Sequence, residues 1–301
     1  FGDKVKYWIT LNEQNIFTSL GWLTAQHPPG KFDDQKMFYQ VNHHAFMAHA
    51  KAVLAYRQMG GKGQIGASFA YTPSYALDCR PINAMAKANY DDLKNYWWMD
   101  VYAYGRYPVA AMTYLKKKGI APDMADGDEE ILRQAASQIT FMGVNYYQSC
   151  VCEYNPMDGA TPYGTMNTTG VKGSAQELGM PGIYKNPANP YLLTTDWDWS
   201  IDPSGLQFCC REITSRYALP IVISENGLGA FDKKTEDGQI HDEYRICYLK
   251  EHIKALGEAV EEGCQVLAYC TWSFTDLLSW LNGYQKRYGF IYVDKDNAGN
   301  G

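Results

Sequence analysis

At 301 residues the chain can bury a large core, as one α/β barrel or as two smaller domains, and 46% apolar with 20% charged residues excludes intrinsic disorder. The formal net charge of -6 comes without acidic or basic blocks, so neither nucleic acid nor a membrane surface has electrostatic support as a partner. No apolar run is long enough to cross a membrane, no signal peptide is evident, and the 8 Cys show neither metal-like spacing nor an obvious disulfide framework, which fits a reducing cytoplasm best.

The first predicted element is a strand over Tyr7–Asn12, inside the run Val5–Glu13 (VKYWITLNE). A helix follows over Lys36–Met59 and a strand over Gln64–Ala70. Helices are predicted over Ala84–Tyr104 and Asp128–Gln138, the second with an acidic first turn that suits the helix dipole. Ile139–Tyr147 reads as the next strand. Ser149–Asp198, rich in Gly, Pro, Asn and Thr, reads as a long loop with room for a hairpin, and a loop of that length suits a wall over a substrate cleft. Pro203–Tyr217 is a helix with Pro at its start, Leu219–Glu225 a buried β-branched strand, His241–Glu262 a helix and Cys264–Trp272 the last strand.

Strand and helix alternate, which is the rhythm of a parallel sheet. Five core strands are expected where a closed (β/α) barrel needs eight. There is no internal repeat and no linker, so residues 1–301 are expected to form one domain. The chain opens on Phe1 rather than Met, a hint that the natural protein starts earlier.

Two carboxylates carry the chemistry. Glu13 and Glu225 each stand at the C-terminal end of a predicted strand, beside Asn12 and Asn226. Barrel enzymes keep their reactive groups at that end of the strands. Either Glu alone reads as a surface residue near a turn. A pair in the same context suggests glycoside hydrolysis, in which one acid protonates the leaving oxygen and one carboxylate attacks the anomeric carbon.

Trp8–Gln14 (WITLNEQ) resembles the T-x-N-E-P acid/base segment of glycoside hydrolase family 1, and Ile223–Gly227 (ISENG) resembles its T/S-E-N-G nucleophile segment. Phe141–Tyr147, Trp199–Leu206 and Trp272–Asp276 follow in the family's order. The resemblance implies an α/β fold, a (β/α)8 TIM barrel of which this chain covers roughly strands 4 to 8, without the first three β/α units and the extreme C-terminus. It implies Glu13 as general acid and then base, and Glu225 as nucleophile. Their environments are expected to raise the pKa of Glu13 and to keep Glu225 ionised. Asn12 would bond the sugar 2-hydroxyl, Tyr147 would donate to Glu225, and Trp272 would lie under the sugar ring. The alternative for Tyr147 and Trp272, ranked second, is a core ring. Gln14 stands where many members have Pro, and leaves the Asn-Glu pair intact.

The segment Asp276–Phe290 bears on the substrate. Ordinary β-glucosidases of the family carry a Glu where Ser279 stands, and that carboxylate would repel a phosphate. Ser279, Lys286 and Tyr288 together resemble the phosphate-binding trio of the family's 6-phospho-β-glycosidases, while Arg287 reads as structural and Lys286-Arg287 could also be a solvated pair. In that family a Trp after the Ser, as Trp280 stands here, is associated with phosphogalactosidases, whereas many phosphoglucosidases carry a smaller residue, so the resemblance is compatible with glucoside, galactoside or dual use. The expected partner is a small-molecule 6-phospho-β-glycoside, the glucoside ranked narrowly ahead of the galactoside. A plain β-glucosidase and a non-catalytic fragment are the alternatives, and a homo-oligomer is left open. Neither a metal nor an organic cofactor is expected, because the implied chemistry needs only the two carboxylates.

Overall fold

The computed structural model describes residues 1–156, 166–177 and 179–301. Its strands are β1 (Tyr7–Asn12), β2 (Gln64–Tyr71), β3 (Ser74–Ala76), β4 (Met142–Tyr146), β5 (Cys150–Cys152), β6 (Gly179–Met180), β7 (Tyr184–Lys185), β8 (Ile221–Asn226) and β9 (Val266–Tyr269). Its helices are α1 (Gln14–Trp22), α2 (Gln35–Gln58), α3 (Pro81–Tyr90), α4 (Tyr96–Tyr104), α5 (Val109–Lys118), α6 (Asp128–Ala136), α7 (Pro203–Tyr217) and α8 (Glu243–Glu261).

Five strands make the main sheet in the order β1-β2-β4-β8-β9, every neighbouring pair parallel. Parallel neighbours need a crossover between them, and the helices supply it. This is the order of consecutive strands in a (β/α)8 barrel. The central strand β4 is buried along its whole length, as expected of a strand covered on both faces. The outer strands are not: Tyr7 and Ile9 of β1 are 50% and 43% exposed, and Leu267 of β9 is 39% exposed. The sheet is therefore an open arc with an uncovered edge on each side.

Small residues let the inner strands approach. A Cβ on Gly66 of β2 would lie 2.3 Å from the carbonyl oxygen of Phe141, and one on Gly143 of β4 would lie 2.9 Å from that of Ala67. The outer layer is built from α2 packed on α1 and α6, and from α7 packed on α8. Trp97, Trp98, Phe69 and Phe46 fill the space between helices and sheet. All 8 cysteines are free.

Several expected boundaries move. The strand expected over Ile139–Tyr147 is confined to Met142–Tyr146, and the one expected over Cys264–Trp272 ends at Tyr269. The helix expected over Ala84–Tyr104 begins at Pro81 and is broken by a π-helical turn at Asp91–Asn95. Two helices, α1 and α5, were not anticipated. The Ser149–Asp198 loop holds β5, paired with β3, and the antiparallel hairpin β6–β7. Its residues 157–165 and 178 lie outside the described residues.

Candidate active site

The C-terminal ends of the parallel strands share one face, and the two carboxylates meet there. At the end of β1 the chain turns on Glu13, whose φ of 50° and ψ of 48° are left-handed. That conformation costs a residue with a Cβ on the order of 1 kcal/mol. The helix it opens is anchored by its first residue. Gln14 is fully buried, its Nε2 donating to Asn42 O and Oδ1, both at 3.0 Å, and its Oε1 accepting from Tyr102 at 2.7 Å. The residue that replaces the family's usual Pro is thus a buried polar anchor, which holds the turn at Glu13 in place.

At β8 the Asn226-Gly227 pair performs a similar task. Asn226 Nδ2 donates to Tyr146 O at 2.7 Å and its Oδ1 accepts from Tyr269 at 2.7 Å, tying β8 to β4 and β9. A Cβ on Gly227 would lie 1.8 Å from the carbonyl oxygen of Trp272, so only glycine fits. The turn leaves Glu225 half-buried at the mouth.

A continuous hydrogen-bonded chain joins the two acids. Asn145 Nδ2 donates to Glu13 Oε1 at 2.9 Å and to Asn12 Oδ1 at 3.0 Å, and Asn12 Nδ2 donates to Glu225 Oε1 at 3.1 Å. Tyr147 donates to Glu225 Oε2 at 2.7 Å. The amide oxygen of Asn145 accepts from Ser68 at 2.9 Å and Ser224 at 2.7 Å. Strands β1, β2, β4 and β8 all contribute to this network.

The two carboxylates differ in ionisation. Burial, reinforced by the negative charge of Glu225, pushes Glu13 up to about 7, against the hydrogen bond from Asn145. Burial also raises Glu225, but three donors oppose it: Tyr147, Asn12 and Asn145. The asymmetry survives because Glu225 has more hydrogen bonds to its charged form.

Rings connect this pair to the Asp276–Phe290 segment. Tyr147 lies 5.5 Å from Trp199 and 6.4 Å from Tyr288, centroid to centroid. The ammonium of Lys286 stands 3.5 Å from the centre of the Trp199 ring and 4.9 Å from that of Trp197. Lys286 is 2% exposed and, among the described residues, has no ion-pair partner. Burial pulls its ammonium down to about 7. Ser279 joins through Asn282, whose Nδ2 donates to Ser279 Oγ at 3.3 Å and whose Oδ1 accepts from Trp197 at 2.9 Å. Arg287 is held apart by Asp276 at 2.8 Å and by the carbonyls of Val293 and Lys295.

Asn12, Glu13, Tyr147, Glu225, Ser279, Lys286 and Tyr288 therefore form one connected region. Trp272 reaches its rim through its backbone, its N–H donating to Asn226 O at 2.8 Å before a cis bond to Ser273. Trp280 is not drawn in: it is 86% exposed, with its ring 5.9 Å from His27. Asn145, Ser68 and Ser224 had no predicted role, and neither had Trp197, Trp199 and Asn282. The signal for Asn145 was its place at the end of the Phe141–Tyr147 strand, in register with Glu225.

Comparison with known proteins gives the family and the fold. The sequence profile of Glycosyl hydrolase family 1 matches residues 1–300. The chain is similar to aryl-phospho-beta-D-glucosidase BglC of Bacillus subtilis, 52% identical over 98% of this chain and 61% of the relative. It is 36% identical to 6-phospho-beta-glucosidase AscB of Escherichia coli, over 100% of this chain and 60% of the relative. A 6-phospho-beta-galactosidase of Clostridium acetobutylicum is 36% identical over 97% of this chain and 62% of the relative. Among solved structures, the family 1 β-glucosidase from Thermotoga maritima superposes with a TM-score of 0.82 at 28% identity, covering 98% of this chain and 60% of that one. The open arc is thus part of a (β/α)8 barrel, and the chain spans about 60% of the length of the relatives it matches.

Proposed function

The chain belongs to glycosyl hydrolase family 1, and from that premise we propose that the protein hydrolyses 6-phospho-β-glucosides with retention of configuration, releasing glucose 6-phosphate. Glu13, protonated below about pH 7, gives its proton to the leaving oxygen while Glu225 attacks the anomeric carbon. Glu13 then takes a proton from the water that releases the sugar. Asn12 meets the sugar beside Glu225, and Tyr147 holds the nucleophile in its ionised form.

The observation that carries the phosphate part of this reading is Lys286. A buried ammonium without a carboxylate partner is costly unless a ligand supplies the counter-charge. Lys286 shares the ring of Trp199 with Tyr147, and Tyr147 touches Glu225, so the missing anion belongs on the sugar bound at the carboxylates. Ser279, joined to Lys286 through Asn282 and Trp197, carries no negative charge. The names of the similar proteins support a phosphorylated sugar, and the 52% identical relative is named for a glucoside.

A galactoside is the second reading, favoured by Trp280 following Ser279 and by the relatives named as 6-phospho-beta-galactosidases. The test is to assay the full-length protein on 4-nitrophenyl 6-phospho-β-glucoside, on its galactoside epimer and on unphosphorylated 4-nitrophenyl β-glucoside. The first should have the highest kcat/KM. Equal kcat/KM on the unphosphorylated compound would overturn the phosphate reading, and a faster galactoside would replace the first reading with the second.

A further inference from the structure

Four residues past Glu225, the chain runs alongside Lys286 at Gly229. An antiparallel bridge joins the two segments there: Ala230 N–H donates to Arg287 O and Arg287 N–H to Ala230 O, both at 2.9 Å. Arg245, buried and paired with Asp232 at 2.8 Å, also donates to Arg287 O at 3.2 Å and holds that register. With Ala230 opposite Arg287, Gly229 falls opposite Tyr288 and diagonal to Lys286, on the same face as both.

Gly229 is buried, and its φ lies outside the left-handed region, so no strain of that kind reserves the position for glycine. Packing does. A Cβ there would lie 2.5 Å from Lys286 Cε, 2.9 Å from Lys286 Cγ and 2.8 Å from Tyr288 Cζ. Non-bonded carbons rest about 3.5 to 4.0 Å apart, so each of these is a collision. These three nearest contacts are all with side chains, so a methyl at this point displaces Lys286 and Tyr288 before it displaces the strand that carries Glu225. The stem of Lys286 is bounded by rings as well, since Trp199 stands 3.5 Å from the ammonium and Trp197 4.9 Å. A side chain at position 229 therefore contests the place of the cation itself.

We propose that Gly229 is a specificity-determining position: the absence of a side chain there makes room for the stem of Lys286, and so decides whether a cation stands over Trp199 to meet a sugar phosphate. Gly229 is a positioning residue, which acts through Lys286 and not on the reacting atoms. The inference rests on the phosphate reading for the ligand, and on packing alone for the place of Lys286.

The test uses the full-length protein and 4-nitrophenyl 6-phospho-β-glucoside. In Gly229→Ala kcat/KM should fall about tenfold or more, through KM and not kcat, because one charge-assisted contact is misplaced. In a Lys286→Met background the same change should alter kcat/KM by less than about twofold, since its route to the phosphate is already gone. An unchanged KM in Gly229→Ala overturns the assignment, and so does an equal fall in both backgrounds, which is what a general loosening of the fold would give. Should Gly229→Ala fail to fold, adding Lys286→Ala should restore the fold by removing the stem, and a double variant that stays unfolded overturns the assignment. If the parent protein cleaves unphosphorylated 4-nitrophenyl β-glucoside equally well, or cleaves neither compound, the proposed function fails instead, and NMR of protein isotopically labelled at lysine Cε decides the place of Lys286. Its signal is the one lost in Lys286→Met. Burial pulls this ammonium down to about 7, so its titration midpoint should rise in Gly229→Ala as the methyl drives it from its place. A midpoint that does not move overturns the assignment.

Discussion

Glu13 and Glu225 are chemically the same group and are made different by their donors. Glu13 has one neutral amide and a neighbouring negative charge, and its carboxyl stays protonated up to about pH 7. Glu225 has Tyr147 and Asn12 aimed at its two oxygens. On the proposed reading Glu13 must be protonated and Glu225 ionised, so activity falls as pH rises through about 7 and falls again as Glu225 takes up a proton at low pH. We predict that Tyr147→Phe moves the acid limb of the kcat/KM profile to higher pH, because a hydrogen bond to the charged form is lost. A profile with both limbs unmoved would show that Tyr147 does not hold Glu225.

Lys286 makes a separate prediction. Its ammonium titrates near 7, so around neutrality a fraction of the free protein is uncharged there. A bound phosphate dianion favours the charged form, and binding above pH 7 should draw a proton from solution. Calorimetry in buffers of different ionisation heat would measure that uptake. Lys286→Met should abolish it and raise KM for the phosphorylated substrate roughly ten- to a hundredfold.

At the scale of elements, the site depends on how closely the strands lie. Gly66 and Gly143 place β2 and β4 so that Ser68 and Ser224 can both reach Asn145. We predict that Gly66→Ala, whose new methyl would meet the backbone of Phe141 at 2.3 Å, destabilises the full-length protein by about 1 to 3 kcal/mol. Denaturant melts would detect this, and an unchanged midpoint would mean the strands part without cost. The five core strands were legible in the sequence because they are short β-branched or apolar runs ending on polar residues. Helix α1 was not, since Glu13 offers no side-chain cap and Gln14 and Thr18 are polar residues buried by tertiary contacts. The π-helical turn was hidden because one extra residue leaves an apolar stripe nearly intact, and β3 and β5 are three-residue strands that exist only through each other. Glu13 and Glu225 could be named from their strand ends. Asn145 had only its place near a strand end as a signal, because its role arises from partners on other strands and at the end of β1.

At the scale of the whole chain, the region where the candidate groups meet lies across the arc of five strands. Edge strand β1 brings Asn12 and Glu13 to one side, β8 brings Glu225 to the other, and the strands between them carry the bridge. The hydrogen bond from Asn12 to Glu225 spans 213 residues of chain. Contacts of such separation are slow to form, because the entropy of closing the intervening chain must be overcome first. Helices such as α2 and α8 need only their own neighbours and can form early. We predict that, in refolding of the full-length protein, far-ultraviolet circular dichroism recovers well before turnover does. Simultaneous recovery would show that β1 and β8 meet at the outset. If the lag is present, a partly folded molecule is inert toward sugars however helical it has become, and catalytic competence reports that the two distant halves of the chain have found each other.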